Sequence, residues 1–175
     1  MNIYLDTNLW NLSCDQRIDP KSLLPKMERS GNSMVLGIRE LKLVPESRLA
    51  AWLATEATSR GAIIMLTGHI GRNFPQVRTA ELLDYAAALI KNASSLISRA
   101  IVRADLYYNW RCANRGSNPP DLANDLYHVL NASYCEIYAT DDRRQAEYAS
   151  YILPSTTKVA IYDRSVPLDA WLQRL

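Results

Sequence analysis

Cysteine is scarce here, and what there is does not pair up. Cys14, Cys112 and Cys135 are odd in number and far apart, which excludes a disulfide framework and a C-x-x-C metal pair. They read as small, partly buried side chains in a reducing compartment. Long apolar runs are missing too; none approaches the ~18 residues that a membrane span needs. Met1-Asn2-Ile3-Tyr4-Leu5-Asp6 lacks a basic region, a long apolar stretch and a cleavage site, so no signal peptide is expected and the cytoplasm is the default compartment. Neither sign of charge dominates: the net charge is +2, and nucleic-acid binding cannot be argued from it. What remains is an ordinary globular composition, 48% apolar and 22% charged. A chain of 175 residues suffices for one α/β domain with a sizeable core and is short for two, so residues 1–175 are read as a single domain.

The order of segments suggests the architecture. Met1–Leu5 is a short apolar run ending at Asp6-Thr7-Asn8, a strand followed by a turn or helix start. Asp19-Pro20 opens a helix that fades near Ser30-Gly31-Asn32, and Ser33–Gly37 reads as a second strand leading to Glu40. Pro45-Glu46-Ser47 starts a helix that ends before Gly61. Ala62–Leu66 is strand or helix, and periodicity does not decide. Helical spacing then runs from about Thr79 to Asn114, with Asn92-Ala93-Ser94 as a candidate break. The loop Arg115–Pro120 precedes a helix from Asp121 to about Tyr134, a strand Glu136–Thr140, a helix Arg143–Tyr151, a strand Lys158–Tyr162 and a terminal helix Val166–Leu175. Strands separated by helices imply a mainly parallel sheet with helices on both faces.

In such sheets ligands bind beyond the carboxyl ends of the strands. The first strand ends in Asp6, and the strand before Arg143 ends in Thr140-Asp141-Asp142. Asp125 lies near the start of the helix that leads into that strand, and Glu40 follows the second strand. Four acids from four segments can thus converge on one edge. Crowded carboxylates repel, and a hard divalent cation removes that cost; oxygen ligands suit Mg²⁺ or Mn²⁺. A bound ion can polarise a phosphoryl oxygen and activate water, and a second ion ~4 Å away can stabilise the leaving oxygen. Each acid has a plainer reading as well. Asp6, Asp141 or Asp142 could cap the following helix, capping is preferred for Asp121, and Glu40 could be a solvated helix residue. Asp125 is one turn beyond Asp121 and faces the same way.

Ile3-Tyr4-Leu5-Asp6-Thr7-Asn8 resembles the opening strand of PIN-domain nucleases, with their first acid. Glu40-Leu41 is similar to the family's second motif. Asp125-Leu126-Tyr127-His128 and Ile137-Tyr138-Ala139-Thr140-Asp141-Asp142-Arg143 resemble its third and fourth. The fourth motif usually reads Thr, any residue, Asp. The resemblance covers 1–42 and 121–163. It implies a three-layer α/β/α fold with a central mainly parallel sheet, and Asp6, Glu40, Asp125 and Asp142 as catalytic, metal-binding acids for Mg²⁺ or Mn²⁺. Thr140 would be a hydroxyl orienting them and Asn8 a polar neighbour, with Asp141 and Asp121 as alternates. The activity implied is endonucleolytic cleavage of RNA. Many small bacterial members are VapC-type toxins held by an antitoxin and often forming homodimers. The segment 45–116 is longer than expected of such toxins, and its helical stretch, about 78–114, reads as an insertion that could hold RNA, a second copy or an antitoxin.

Other residues carry less. Arg99 and Arg103 are four apart, as are Arg111 and Arg115; Arg111, Arg115 and Arg143 are the candidate RNA contacts, although a solvated face is the plainer reading for any one of them. Tyr107-Tyr108-Asn109-Trp110-Arg111-Cys112 suits base stacking, but packing is the preferred role. His128 reads as a packed or hydrogen-bonded residue and His69 as a loop residue. A signalling receiver domain would need a lysine at a later strand end, whereas Lys158 precedes its strand. A haloacid-dehalogenase-like phosphatase would need Asp-x-Asp where this chain has Asp6-Thr7-Asn8. The stronger rival is a PIN-like scaffold that binds RNA or protein without cutting.

Overall fold

Three short strands form a parallel sheet in the order β1 (Ile3–Leu5), β2 (Ile137–Thr140), β3 (Lys158–Ile161). They belong to a computed structural model that describes residues 3–5, 41, 43–116 and 118–175. The register pairs Leu5 with Ala139 and Thr140 with Ile161, so parallel neighbours present their carboxyl ends at one edge. All four residues of β2 are buried, as a short continuous apolar run between two parallel neighbours should be. The expected helix at Asp19-Pro20 and strand at Ser33–Gly37 lie outside the described residues.

The described chain is mostly helix. Between β1 and β2 run α1 (Glu46–Glu56), α2 (Arg60–Asn73), α3 (Thr79–Lys91), α4 (Leu96–Arg115) and α5 (Leu122–Asn131). Then α6 (Arg143–Ile152) connects β2 to β3, and α7 (Leu168–Leu172) closes the chain. Ala62–Leu66, open between strand and helix in the sequence, is helix. Its signal lies just upstream, where the Ser59 hydroxyl accepts from the Ala62 amide (3.2 Å) and caps α2. The helix carries past Thr67-Gly68, so His69 is helical and not a loop residue; its Nε2 lies 3.4 Å from Asp105 of α4. The break at Asn92–Ser94 separates α3 from α4. Gly116 ends α4 at φ 78°, a region that side chains with a Cβ rarely enter. Two helices are shorter than expected: α5 stops at Asn131 and α7 spans Leu168–Leu172.

The main core joins α1, α4, α5, α6 and β2. Leu49, Leu53, Val102, Tyr107, Leu122, Leu126, Val129, Tyr138, Tyr148 and Ile152 are each at most 1% exposed. Fully burying one such side chain is worth ~1.5–3 kcal/mol, so this set dominates stability. The aromatic-rich segment of α4 contributes to packing: Tyr107 stacks near Trp110 and Tyr151, and Trp110 Nε1 donates to the Val44 carbonyl (2.8 Å). The stretch 78–114 therefore includes α4, which is integral to the core. Cys112 is exposed, where a partly buried thiol was expected. Among the described residues no helix is long and apolar enough to cross a membrane.

Candidate functional site

The carboxyl ends of β1 and β2 share one edge of the sheet, and two of the expected acids meet there. β2 ends at Thr140, whose side chain is fully buried and whose Oγ1 accepts from the Asp142 amide (3.0 Å). That bond fixes the turn by which the chain leaves the strand and enters α6. Asp142 is the N-cap of α6, its Oδ1 accepting from the Arg144 amide (2.7 Å). The capping alternative for this residue is thus realised, and it leaves the second carboxylate oxygen 3.6 Å from the exposed Arg144 guanidinium.

Asp125 approaches from the first turn of α5. Burial pushes its carboxyl above the usual range, and the charges of Asp142 and Asp121 push it the same way; a hydrogen bond from Gln145 and the charge of Arg144 act in opposition. Asp125, Asp142 and Asp121 thus form one electrostatic neighbourhood, with Asp125 as its least hydrated member. Asp121 occupies the N-cap position of α5, but its side chain makes no capping hydrogen bond, contrary to the expected role. Its distance of four residues from Asp125 puts both on one helix face.

Gln145 joins the pieces, and sequence reasoning passed it over. Its Nε2 donates to Asp125 Oδ1 (3.3 Å), and its Oε1 accepts from the hydroxyl of buried Tyr138 on β2 (2.8 Å). One side chain therefore ties α5, α6 and β2 together behind the acids. A signal existed in Asp142-Arg143-Arg144-Gln145, the spacing of a capping box; here the glutamine reaches across to Asp125 rather than back to its own helix start.

The remaining candidates divide. Asp141 points away from this neighbourhood: its nearly buried side chain pairs with Arg164 through Oδ2 (Nε 3.0 Å), with a second contact from the same guanidinium. Arg115 is engaged by Glu46 (2.8 Å) and Glu147 (3.5 Å) and lies over the Trp110 ring. Arg111 lies over the Tyr148 ring, 5.8 Å from its centroid, and Arg143 is exposed on the first turn of α6. Asp6, Asn8 and Glu40 lie outside the described residues. Among the described residues no three His, Cys, Asp or Glu side chains gather as they would around a metal ion.

Comparison with known proteins adds no relative: no family model, no curated protein and no solved structure matches this chain. The functional reading therefore stands on the residues themselves.

Proposed function

We propose that this chain is a metal-dependent endoribonuclease of the PIN kind, hydrolysing RNA phosphodiester bonds with Mg²⁺ or Mn²⁺. The observation that carries the reading is the hydrogen bond from Gln145, three residues beyond the α6 cap Asp142, to Asp125 Oδ1 (3.3 Å), which ties the helix bearing Asp125 to the turn that leaves β2. A half-buried carboxylate whose ionisation is made costlier by burial and by a neighbouring acid favours a hard cation, and Mg²⁺ takes few protein ligands while keeping several waters. The donors are all oxygen, which fits that ion class. Asp6, which follows Leu5 in the sequence, and Glu40 would complete the set of acids. When bound, such an ion polarises a phosphoryl oxygen and lowers the pKa of water. The chain's own contributions are positional. Gln145 holds Asp125, Thr140 holds the Asp142 amide, and the cap fixes the Asp142 carboxylate at the start of α6. The finer architecture belongs to the same proposal: a three-layer α/β/α sandwich, with 78–114 as a helical insertion. So does a toxin role with an antitoxin partner and a homodimer, which a neighbouring small reading frame encoding a DNA-binding antitoxin would support.

The test is cleavage of varied RNAs by purified protein with Mn²⁺ or Mg²⁺, beside EDTA and an Asp6→Asn, Asp142→Asn double variant. Cleavage lost with chelator and with the variant supports the reading. A folded parent that cleaves nothing and binds no metal refutes it. A second reading, a PIN-like scaffold that binds RNA or protein without cutting, is favoured by one observation. Asp142 already has a sufficient structural role as a helix cap.

A further inference from the structure

Asp141 and Asp142 follow one another in sequence, and the structure gives their carboxylates different partners. Asp142 caps α6, whereas the Asp141 side chain is only 2% exposed. A carboxylate taken that far out of water needs a cation and hydrogen bonds to stay charged without a large cost. Arg164 supplies both. Its Nε donates to Asp141 Oδ2 at 3.0 Å, and its Nη2 makes a second contact with the same oxygen. The arginine side chain is itself 76% exposed, so pairing costs it little desolvation.

Arg164 stands in an ordered turn after β3. The Asp163 carbonyl accepts from the Val166 amide (3.0 Å), and Asp163 Oδ1 accepts from the Ser165 amide (2.9 Å). β3 runs parallel to β2 with Thr140 beside Ile161, and the Tyr162 amide donates to the Thr140 carbonyl (2.7 Å). The turns after β2 and β3 therefore leave the sheet at the same edge, and the Asp141–Arg164 pair joins them.

The turn after β2 is thus held at two successive residues. Arg164 takes the side chain of Asp141, and Thr140 Oγ1 takes the amide of Asp142 (3.0 Å). Asp142 is still extended, at φ −93° and ψ 114°, and neighbouring side chains in extended chain point to opposite sides. A turn free to rotate would exchange the places of the two carboxylates. With Asp141 held toward the β3 turn, Asp142 stands at the head of α6, three residues before the Gln145 that donates to Asp125 (3.3 Å).

We infer that Arg164, acting through Asp141, is a positioning residue for Asp142, deciding which of the two adjacent acids stands at the head of α6. This rests on the nuclease reading for the role of Asp142 as a metal-site acid. It moves Asp141 from an alternate ligand to an anchor. Arginine suits the task because its planar fork brings two donors to one carboxylate, which a lysine ammonium does not reproduce.

The experiment is amide hydrogen exchange, read by NMR on the full chain, for the parent, Arg164→Met, Arg164→Lys and Arg78→Met. The Asp142 amide, which donates to Thr140, and the Arg144 amide, which donates to Asp142, report on the turn. Arg78, exposed and paired with Glu81, is the control. Arg164→Met should speed exchange at both amides roughly tenfold, the weight of one charge-assisted contact. The amides of Val102 and Val129, buried in the core, should keep the parent's rates. Arg164→Lys keeps the charge without the fork, so it should rescue part of the effect, to about threefold. Arg78→Met should match the parent. Calorimetric titration with Mn²⁺ supplies a readout that a merely stabilising contact would not move: folded Arg164→Met should bind the ion several-fold more weakly than the parent, with Arg164→Lys between them. Thermal melts confirm folding, and Arg164→Lys carries the test if Arg164→Met does not fold. Unchanged exchange at both turn amides overturns the inference. So does equal acceleration in the core, or unchanged Mn²⁺ affinity where the parent binds the ion. The two proposals fail separately. A parent that cleaves RNA while Arg164→Met keeps its turn amides protected sinks this inference alone. A parent that binds no Mn²⁺ and cleaves no RNA, with both turn amides faster in Arg164→Met, sinks the nuclease alone.

Discussion

Asp142 carries two readings at once, helix cap and metal-site acid, and a pair of substitutions separates them. Its Oδ1 accepts from the Arg144 amide at 2.7 Å, so Asp142→Ala removes the cap of α6. Losing a capping side chain to alanine costs ~1 kcal/mol, within a range of about 0.5–2. For a chain of this size that amounts to ~2–4 °C in melting temperature. Asparagine caps about as well as aspartate, so Asp142→Asn keeps the hydrogen bond while deleting the charge. Two further effects of the neutral residue oppose each other. It loses attraction to the helix N-terminus and to the exposed Arg144 guanidinium 3.6 Å away, each worth a few tenths of a kcal/mol. It also relieves the repulsion that raises the Asp125 carboxyl. The net expectation for Asp142→Asn is a change within about 0.5 kcal/mol of the parent. Urea denaturation at neutral pH reads both values, and RNA cleavage reads the chemistry. On the proposed function both variants lose cleavage although only alanine loses stability. Equal destabilisation by the two would refute the capping argument, and full cleavage by the stable asparagine variant would remove Asp142 from the site.

Other substitutions probe the neighbouring groups. Asp125 has its carboxyl raised in the folded protein, so the folded state holds its proton more tightly and the group's ionisation costs stability. Asp125→Asn should therefore be more stable than the parent at neutral pH, with the gap closing as pH falls through the raised value; urea midpoints at neutral and mildly acid pH check this, and no gap at neutral pH refutes it. Mg²⁺ or Mn²⁺ should raise the parent's melting temperature more than that of Asp125→Asn, as differential scanning fluorimetry would report. Gln145→Leu removes the donor to Asp125 and the acceptor of the Tyr138 hydroxyl, and should lose ~1–3 kcal/mol in the same denaturation assay. Gly116→Ala meets no neighbour within 4 Å, so its expected loss of ~1–2 kcal/mol is purely the backbone strain of φ 78°; an unchanged melting temperature would contradict it.

Much of the chain order could be read from pattern alone. Strong local signals survive any tertiary context: Pro45-Glu46 opens α1, Asn92–Ser94 divides α3 from α4, and the apolar run at Ile137–Thr140 is a strand. The acids at strand ends and helix starts were visible because Asp at such positions is chemically conspicuous, whether as cap or ligand. Ala62–Leu66 was not legible from its own residues, since five apolar side chains suit a buried strand and a helix equally; one serine upstream tipped it. Tertiary structure alone decided which side chains meet. It put Asp125 beside Asp142 and turned Asp141 toward Arg164, although the two aspartates are adjacent in sequence, because successive side chains leaving a strand point to different sides. It brought in Gln145, whose value lies in two partners on two other elements, Asp125 on α5 and Tyr138 on β2. It also gave the four arginines of α4 different partners: Arg99 reaches the Ile90 carbonyl, Arg103 those of Ile152 and Leu153, Arg115 pairs with Glu46 and Glu147, and Arg111 covers the Tyr148 ring. Spacing along a helix gives a residue's direction, but what waits in that direction depends on how distant segments pack.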